Sequence, residues 1–218
     1  MIEIKDFSKS YSGVQVYENF NLSLEEGKIT CILGESGCGK TTLLNAVAGL
    51  IKFEGSITKK KCSYVFQSPR LVPNLTVYDN LKLVTKEESK ISDILEKVHL
   101  SGKAKSYPIK LSGGQAQRVA LARAFLYESE VILMDEPFTA LDLKLKRDMT
   151  ELFFDIWQED KRTVLFVTHD VDEAAAIAQR IIVISGGKAV YDRTLDDEPI
   201  RSGNNQDLLR RELLSVLL

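Results

Sequence analysis

Gly34, Gly37 and Gly39 lie close together and run straight into Lys40, Thr41 and Thr42. The order from Gly34 to Thr41 is G-x-x-x-x-G-K-T, set between an apolar run (29–33) and a helix-patterned stretch (41–48). Glycine costs folding entropy wherever its freedom is not needed. Three glycines in one loop therefore argue for a ligand pressed against the backbone, and phosphate fits. Consecutive N–H groups converge on an anion, and the following helix adds its partial positive charge. Lys40 then reaches the outer phosphates of a nucleoside triphosphate, and the Thr41 hydroxyl helps hold Mg²⁺. Glu35, Ser36 and Cys38 complete the loop. Cys38 lies beside Lys40 and a helix start, so the sequence predicts a lowered thiol pKa and a thiolate that nucleotide protects. A glycine-rich turn with a chance lysine is the bland alternative, and the flanking strand and helix weigh against it.

Other apolar runs end in residues suited to the same chemistry. The run 131–134 leads into Asp135 and Glu136, 62–66 into Gln67, and 163–168 into His169. Asp135 is the acid expected on the Mg²⁺ side. Glu136 is left free to take a proton from water and is the candidate general base. Gln67 could order water or Mg²⁺, and His169 could contact the γ-phosphate. Each alone is also what a strand end meeting solvent looks like. As a group they converge on one ligand. The second histidine, His99, lies in a polar helical stretch and reads as a surface or helix-end residue.

These residues need elements to position them. The runs 29–33, 62–67, 131–134, 163–168 and 181–185 are mostly continuous apolar stretches rather than alternating ones, as in strands covered on both faces. In open sheets of that kind ligands bind outside the carboxyl ends of the strands. Helical patterns cover 41–48, closed by Gly49, and Leu145, Met149, Leu152, Phe153 and Ile156. A further helix is expected over 171–180, opening on acids and closing on Arg180. The tail places Leu209, Leu213, Val216 and Leu217 along one helical face, read as docked on its own core. The amino end suggests antiparallel strands joined to one edge of the main sheet. The predicted fold class is α/β: a P-loop NTPase core with a mostly parallel sheet flanked by helices, an N-terminal antiparallel β subdomain and a small helical subdomain. One domain spans 1–218, with the core in about 1–67 and 131–218 and the helical subdomain in about 68–130.

Composition narrows the classes. The 218 residues are 44% hydrophobic and 28% charged with a net charge of −2, enough for a real core. Near-neutrality argues against nucleic acid as the main partner. No apolar run is long enough to span a membrane, and the amino end lacks a signal-peptide core. Cys31, Cys38 and Cys62 have no metal-like spacing, and an odd count suits a reducing, cytoplasmic setting.

Ser112, Gly113, Gly114 and Gln115, in "LSGGQAQRVALARAF", open a second glycine-rich helix and hence a second anion site. At these residues the sequence resembles the nucleotide-binding subunit of ATP-binding-cassette (ABC) transporters, whose signature is LSGGQ. The resemblance covers essentially the whole chain: "GESGCGKT", Gln67, the signature, "VILMDE", "ALD" ending at Asp142, and His169. It implies that Tyr11 stacks on adenine, that Ser112 and Gly114 meet the γ-phosphate held by the opposite subunit, and that Asp142 lies at the subunit contact. It implies a head-to-tail homodimer sandwiching two ATP molecules with Mg²⁺, on transmembrane permease subunits at the inner face of the membrane, with a solute-binding protein in the complex.

The stretches "VFQSPRLVPNLTVYDN" and "TVLFVTHDVDEAAAIAQRIIVIS" resemble importers of nitrate, aliphatic sulfonates and taurine. Nothing in the chain would touch the solute, so that reading rests on kinship. The chain stops soon after "GKAVYD", which predicts no appended regulatory domain. The alternatives are the ATPase of an exporter or lipoprotein-release complex, a soluble non-transport ABC ATPase, and a non-catalytic cassette. Glu136 and His169 together weigh against the last.

Overall fold

The computed structural model describes residues 1–195 and 204–217. Positions 196–203 and 218 of the span assigned above to the core lie outside the described residues.

Among the described residues the main sheet has six strands, five of them formed by the apolar runs and the sixth, at its edge, by a mostly exposed segment. They are β3 (Ile29–Leu33), β5 (Cys62–Val65), β6 (Val131–Asp135), β7 (Thr163–Thr168), β8 (Arg180–Ser185) and β9 (Lys188–Thr194). Their order is β5-β6-β7-β3-β8-β9. All neighbours pair parallel except β8 with β9. Because β3, β6 and β7 are central and parallel, their carboxyl ends meet at one edge of the sheet.

Each sheet face has its own core, and alternate strand residues sort between them as the two-residue period requires. Ile132, Met134, Val164 and Phe166 face one cluster. Val131, Leu133, Leu165 and Val167 face the other. On this second face lies α1 (Lys40–Val47), whose Leu43, Leu44 and Val47 are buried. It is covered in turn by a three-stranded antiparallel sheet, β2-β1-β4, from β1 (Ile2–Tyr11), β2 (Val14–Leu24) and β4 (Glu54–Ile57). The expectation that the amino-terminal strands join an edge of the main sheet is therefore corrected. They build a separate sheet over α1, and β9 supplies the antiparallel edge.

The first cluster is covered by α2 (Val77–Lys82), α3 (Glu88–Lys97), α4 (Gly113–Leu126), α5 (Leu143–Asp160), α6 (Val171–Ile177) and α7 (Asn204–Leu217). Between β5 and β6 the chain carries α2, α3, two 3₁₀ turns and α4. The expected helix over 171–180 ends at Ile177. Arg180 instead opens β8, where its guanidinium forks onto Asp192 of β9 at 2.8 and 2.7 Å. A cross-strand carboxylate outcompeted the helix dipole as its partner. Gln179, between the two elements, is buried and bonds Ile29 through both backbone and side chain.

Candidate active site

The phosphate-loop geometry begins with Gly39, whose φ of 105° lies in the left-handed region. A Cβ there would come within 2.7 Å of the Tyr17 ring, so only glycine lets the chain turn into α1 at this place. Lys40 follows as the first residue of α1 and is buried. Its Nζ donates to the carbonyls of Gly34 and Glu35, both at 2.7 Å, and lies 3.7 Å from Oε1 of Glu136. Glu35, Ser36 and Gly37 are exposed, Cys38, Gly39 and Thr42 half-buried.

The sheet brings the acids to the same place. Asp135 ends β6, and its Oδ1 accepts from the Thr41 hydroxyl at 2.9 Å. Burial pushes the Asp135 carboxyl above its usual range, against the hydroxyls of Thr41 and Tyr64 that favour the ionised form. Glu136 takes a left-handed φ of 44°, while its N–H extends the ladder to the Val167 carbonyl at 2.9 Å. A non-glycine residue is held there only by its surroundings. Glu136 also has partners of its own: Oε2 lies 2.9 Å from Nδ1 of His169 and accepts from the Thr139 hydroxyl at 3.2 Å.

Asp135 and Thr41 offer two hard oxygens, and no cluster of three or more His, Cys, Asp or Glu able to hold a metal occurs among the described residues. Such a pair suits a cation that brings further ligands with it, as Mg²⁺ does when it arrives on phosphates with its own waters.

Other candidates stand apart from this cluster. Gln67 is exposed just beyond β5, which ends at Val65. Tyr11 is exposed at the end of β1, with the Lys9 ammonium over its ring. Ser112 caps α4: its hydroxyl accepts from the N–H of Gln115, whose side chain returns a bond to the Ser112 N–H. Ser112 and Gly113 face solvent. Gly114 is buried, and a Cβ there would meet the tip of the Leu145 side chain of α5 at 2.5 Å, so α4 packs closely on α5 at this point. Asp142 is exposed and caps α5 by accepting from the Leu145 N–H at 3.0 Å. His99 is exposed just past α3 with a φ of 57°, as a helix-end residue should be.

Cys38 departs from expectation. Its pKa is raised, because half-burial outweighs the help that Lys40 gives the thiolate. Cys31 is fully buried in β3, and its thiol is pushed well up by burial.

Three contributors escape a reading by motif. Tyr64 and Asn45 stand around Asp135, although Asn45 follows Thr41 by one helical turn and was visible as its neighbour on that face. Behind His169, Lys146 of α5 bonds Asp170 at 2.8 Å and lies 3.5 Å from the buried Glu173. No local spacing joins Lys146 to the other two.

Comparison with known proteins fits this geometry. Residues 17–139 match the family model described as ABC transporter. The aliphatic sulfonates import ATP-binding protein SsuB of Bacillus cereus (strain ZK / E33L) is 43% identical over 209 residues, covering 89% of this chain and 83% of that protein. SsuB 2 of Streptomyces avermitilis is 40% identical, covering 99% of this chain and 90% of that protein. Among solved structures, the dimeric post-hydrolysis state of the ATP-binding cassette MJ0796 with ADP and Pi has a TM-score of 0.78 at 30% identity, covering 93% of this chain and 100% of that one. Matches of this length and identity support one conclusion: the chain belongs to the ABC transporter family, as an ATP-binding and ATP-hydrolysing subunit.

Proposed function

We propose that the chain hydrolyses Mg-ATP at a dimer interface to drive import of a small organic sulfonate through separate permease subunits at the cytoplasmic face of the membrane. The observation that carries the hydrolytic part is the meeting of Lys40, Thr41, Asp135, Glu136 and His169 at adjoining strand ends. The sulfonate part is supported by the names of the relatives. No helix among the described residues is long and apolar enough to cross a membrane, which fits a separate permease. The segment 68–130 is the surface offered to it, and a solute-binding protein completes the complex.

Lys40 would exchange the Gly34 and Glu35 carbonyls for β- and γ-phosphate oxygens, which reward the ammonium with full opposite charge. The loop N–H groups and the start of α1 hold the same oxygens. Thr41 and Asp135 would hold the cation, with Gln67 reaching in from beyond β5. Mg²⁺ when bound neutralises charge on the transferring phosphoryl group. Glu136 accepts a proton from the attacking water. A carboxylate only accepts, so the proton of the Glu136–His169 contact sits on Nδ1 of the histidine. The imidazole thereby orients the base. Tyr11 stacks on the adenine.

The exposed Ser112 and Gly113, with Gly114, Gln115 and Asp142, would complete the site of a second copy, as in the dimeric relative. The test is to tag the native chain and isolate its complex. A permease and a solute-binding subunit should accompany it, and sulfonate-loaded binding protein should stimulate ATPase activity. Isolation without any membrane subunit, or with no response to sulfonates, would contradict the reading.

A further inference from the structure

The Asp135 carboxylate is tied at both ends. Its Oδ1 accepts from Thr41 on α1 at 2.9 Å, and its Oδ2 lies 3.3 Å from the Tyr64 hydroxyl on β5. The same hydroxyl lies 3.2 Å from Oδ1 of Asn45, one turn beyond Thr41 on α1. Residues spaced by four share a helix face, so α1 presents both Thr41 and Asn45 to the end of β6. The Tyr64 ring is held by stacking on Phe66, with centroids 4.1 Å apart and planes 14° from parallel.

An aspartate carboxyl turns about a broad, two-fold torsion. A single hydrogen bond leaves that rotation open. Two bonds from separate elements fix the plane. The hydroxyl carries one proton and faces two acceptors, so it serves one at a time. An ionised carboxylate is the stronger acceptor and takes it. When a cation draws on the Asp135 charge, Asn45 stands ready as the second acceptor. The hydroxyl is thus never left without a partner in a half-buried place, where an unmet donor is costly.

We propose that Tyr64, backed by Asn45, is a positioning residue that fixes the Asp135 carboxylate for the divalent cation arriving with the nucleotide. This rests on the cation reading of Thr41 and Asp135 given above, and it adds what orients the acid. Partners that orient a ligating carboxylate characteristically influence metal affinity as well as geometry. Nucleotide affinity without a cation rests on Lys40 and the loop and is untouched by Tyr64.

The test uses the full chain with a non-hydrolysable ATP analogue and Mn²⁺ as the probe, its binding followed by electron paramagnetic resonance. Tyr64→Phe removes the hydroxyl and keeps the ring that stacks on Phe66. The variant should bind Mn²⁺ about tenfold more weakly in the presence of the analogue. Its affinity for the analogue in EDTA, and its melting temperature, should match the parent. Equal Mn²⁺ affinity in variant and parent would overturn the role of Tyr64 while leaving the cation site standing. A parallel loss of analogue affinity in EDTA would overturn it too, by making the effect a general one. A parent that takes up no Mn²⁺ with the analogue would overturn the cation reading itself, and this inference with it.

Discussion

Nδ1 of His169 lies 2.9 Å from Oε2 of Glu136, joining two residues 33 apart in sequence at the ends of neighbouring parallel strands. Lys40 approaches the other oxygen of the same carboxylate at 3.7 Å. The base is therefore held by the ring that would face the γ-phosphate and by the cation that would bind it.

Glu136→Gln keeps the shape and the contacts to His169 and Thr139 but removes the base. ATP turnover should fall by roughly 10²–10⁴, the usual worth of a positioned general base. ATP affinity, measured by calorimetry, should stay near the parent value. Turnover equal to the parent would remove Glu136 from the role.

Glu173 is buried, and burial pushes its carboxyl above the usual range, against the Thr168 hydroxyl at 2.6 Å and Lys146. An acid whose folded pKa exceeds its unfolded one costs stability above that folded value. The cost is relieved as pH falls toward the unfolded pKa. Glu173→Gln should therefore melt higher than the parent in mildly alkaline buffer, with the advantage shrinking on acidification. Lys146 keeps Asp170 as its partner throughout. Melting curves across pH check this, and an advantage that grows as pH falls would contradict it.

The raised pKa of Cys38 sets its reactivity. Thiol modification proceeds through the thiolate, so labelling by a maleimide at neutral pH should be slow and should rise about tenfold per pH unit. A rate already flat between about pH 6 and 8 would mean a depressed thiol instead. Mg-ATP should slow labelling at every pH, because the residue lies inside the loop.

Leu213 of α7 is fully buried and Leu209 nearly so, in the cluster that also holds Ala174 and Ile177 of α6. Leu213→Ala should cost about 2–5 kcal/mol, as buried leucines do when truncated. Chemical denaturation measures it. A loss of permease binding at unchanged stability would instead make this helix a partner contact.

Much of this was legible because the chemistry is local. Gly34 to Thr42 carry their own context in the strand before and the helix after, and β3 and β7 end where their apolar runs do. An antiparallel β subdomain at the amino end was legible, but its placement as a separate sheet over α1, rather than at an edge of the main sheet, was not. Antiparallel strands read the same whether they pair with an edge or cover a helix, and only the packing of Leu43 and Leu44 decides. Arg180 misled because its partner, Asp192, belongs to β9, a strand exposed along most of its length and without an apolar run. Cys38 misled because spacing shows its cationic neighbour and not its burial. Tyr64 and Lys146 act across elements and leave no pattern in one dimension.

The central claim is that Ser112 completes the site of a second copy, and a mixed dimer tests it most directly. Lys40→Ala and Ser112→Arg would each be made with Glu136→Gln, so that hydrolysis does not dissolve what ATP assembles. Neither homodimer would contain an intact site. In the mixture, the phosphate loop of the Ser112→Arg chain faces the signature helix of the Lys40→Ala chain, so one intact site is rebuilt. Gel filtration with Mg-ATP should show a dimer from the mixture and monomers from either variant alone. If the Glu136→Gln protein dimerises with Mg-ATP and the mixture yields no nucleotide-dependent heterodimer, the shared site is contradicted.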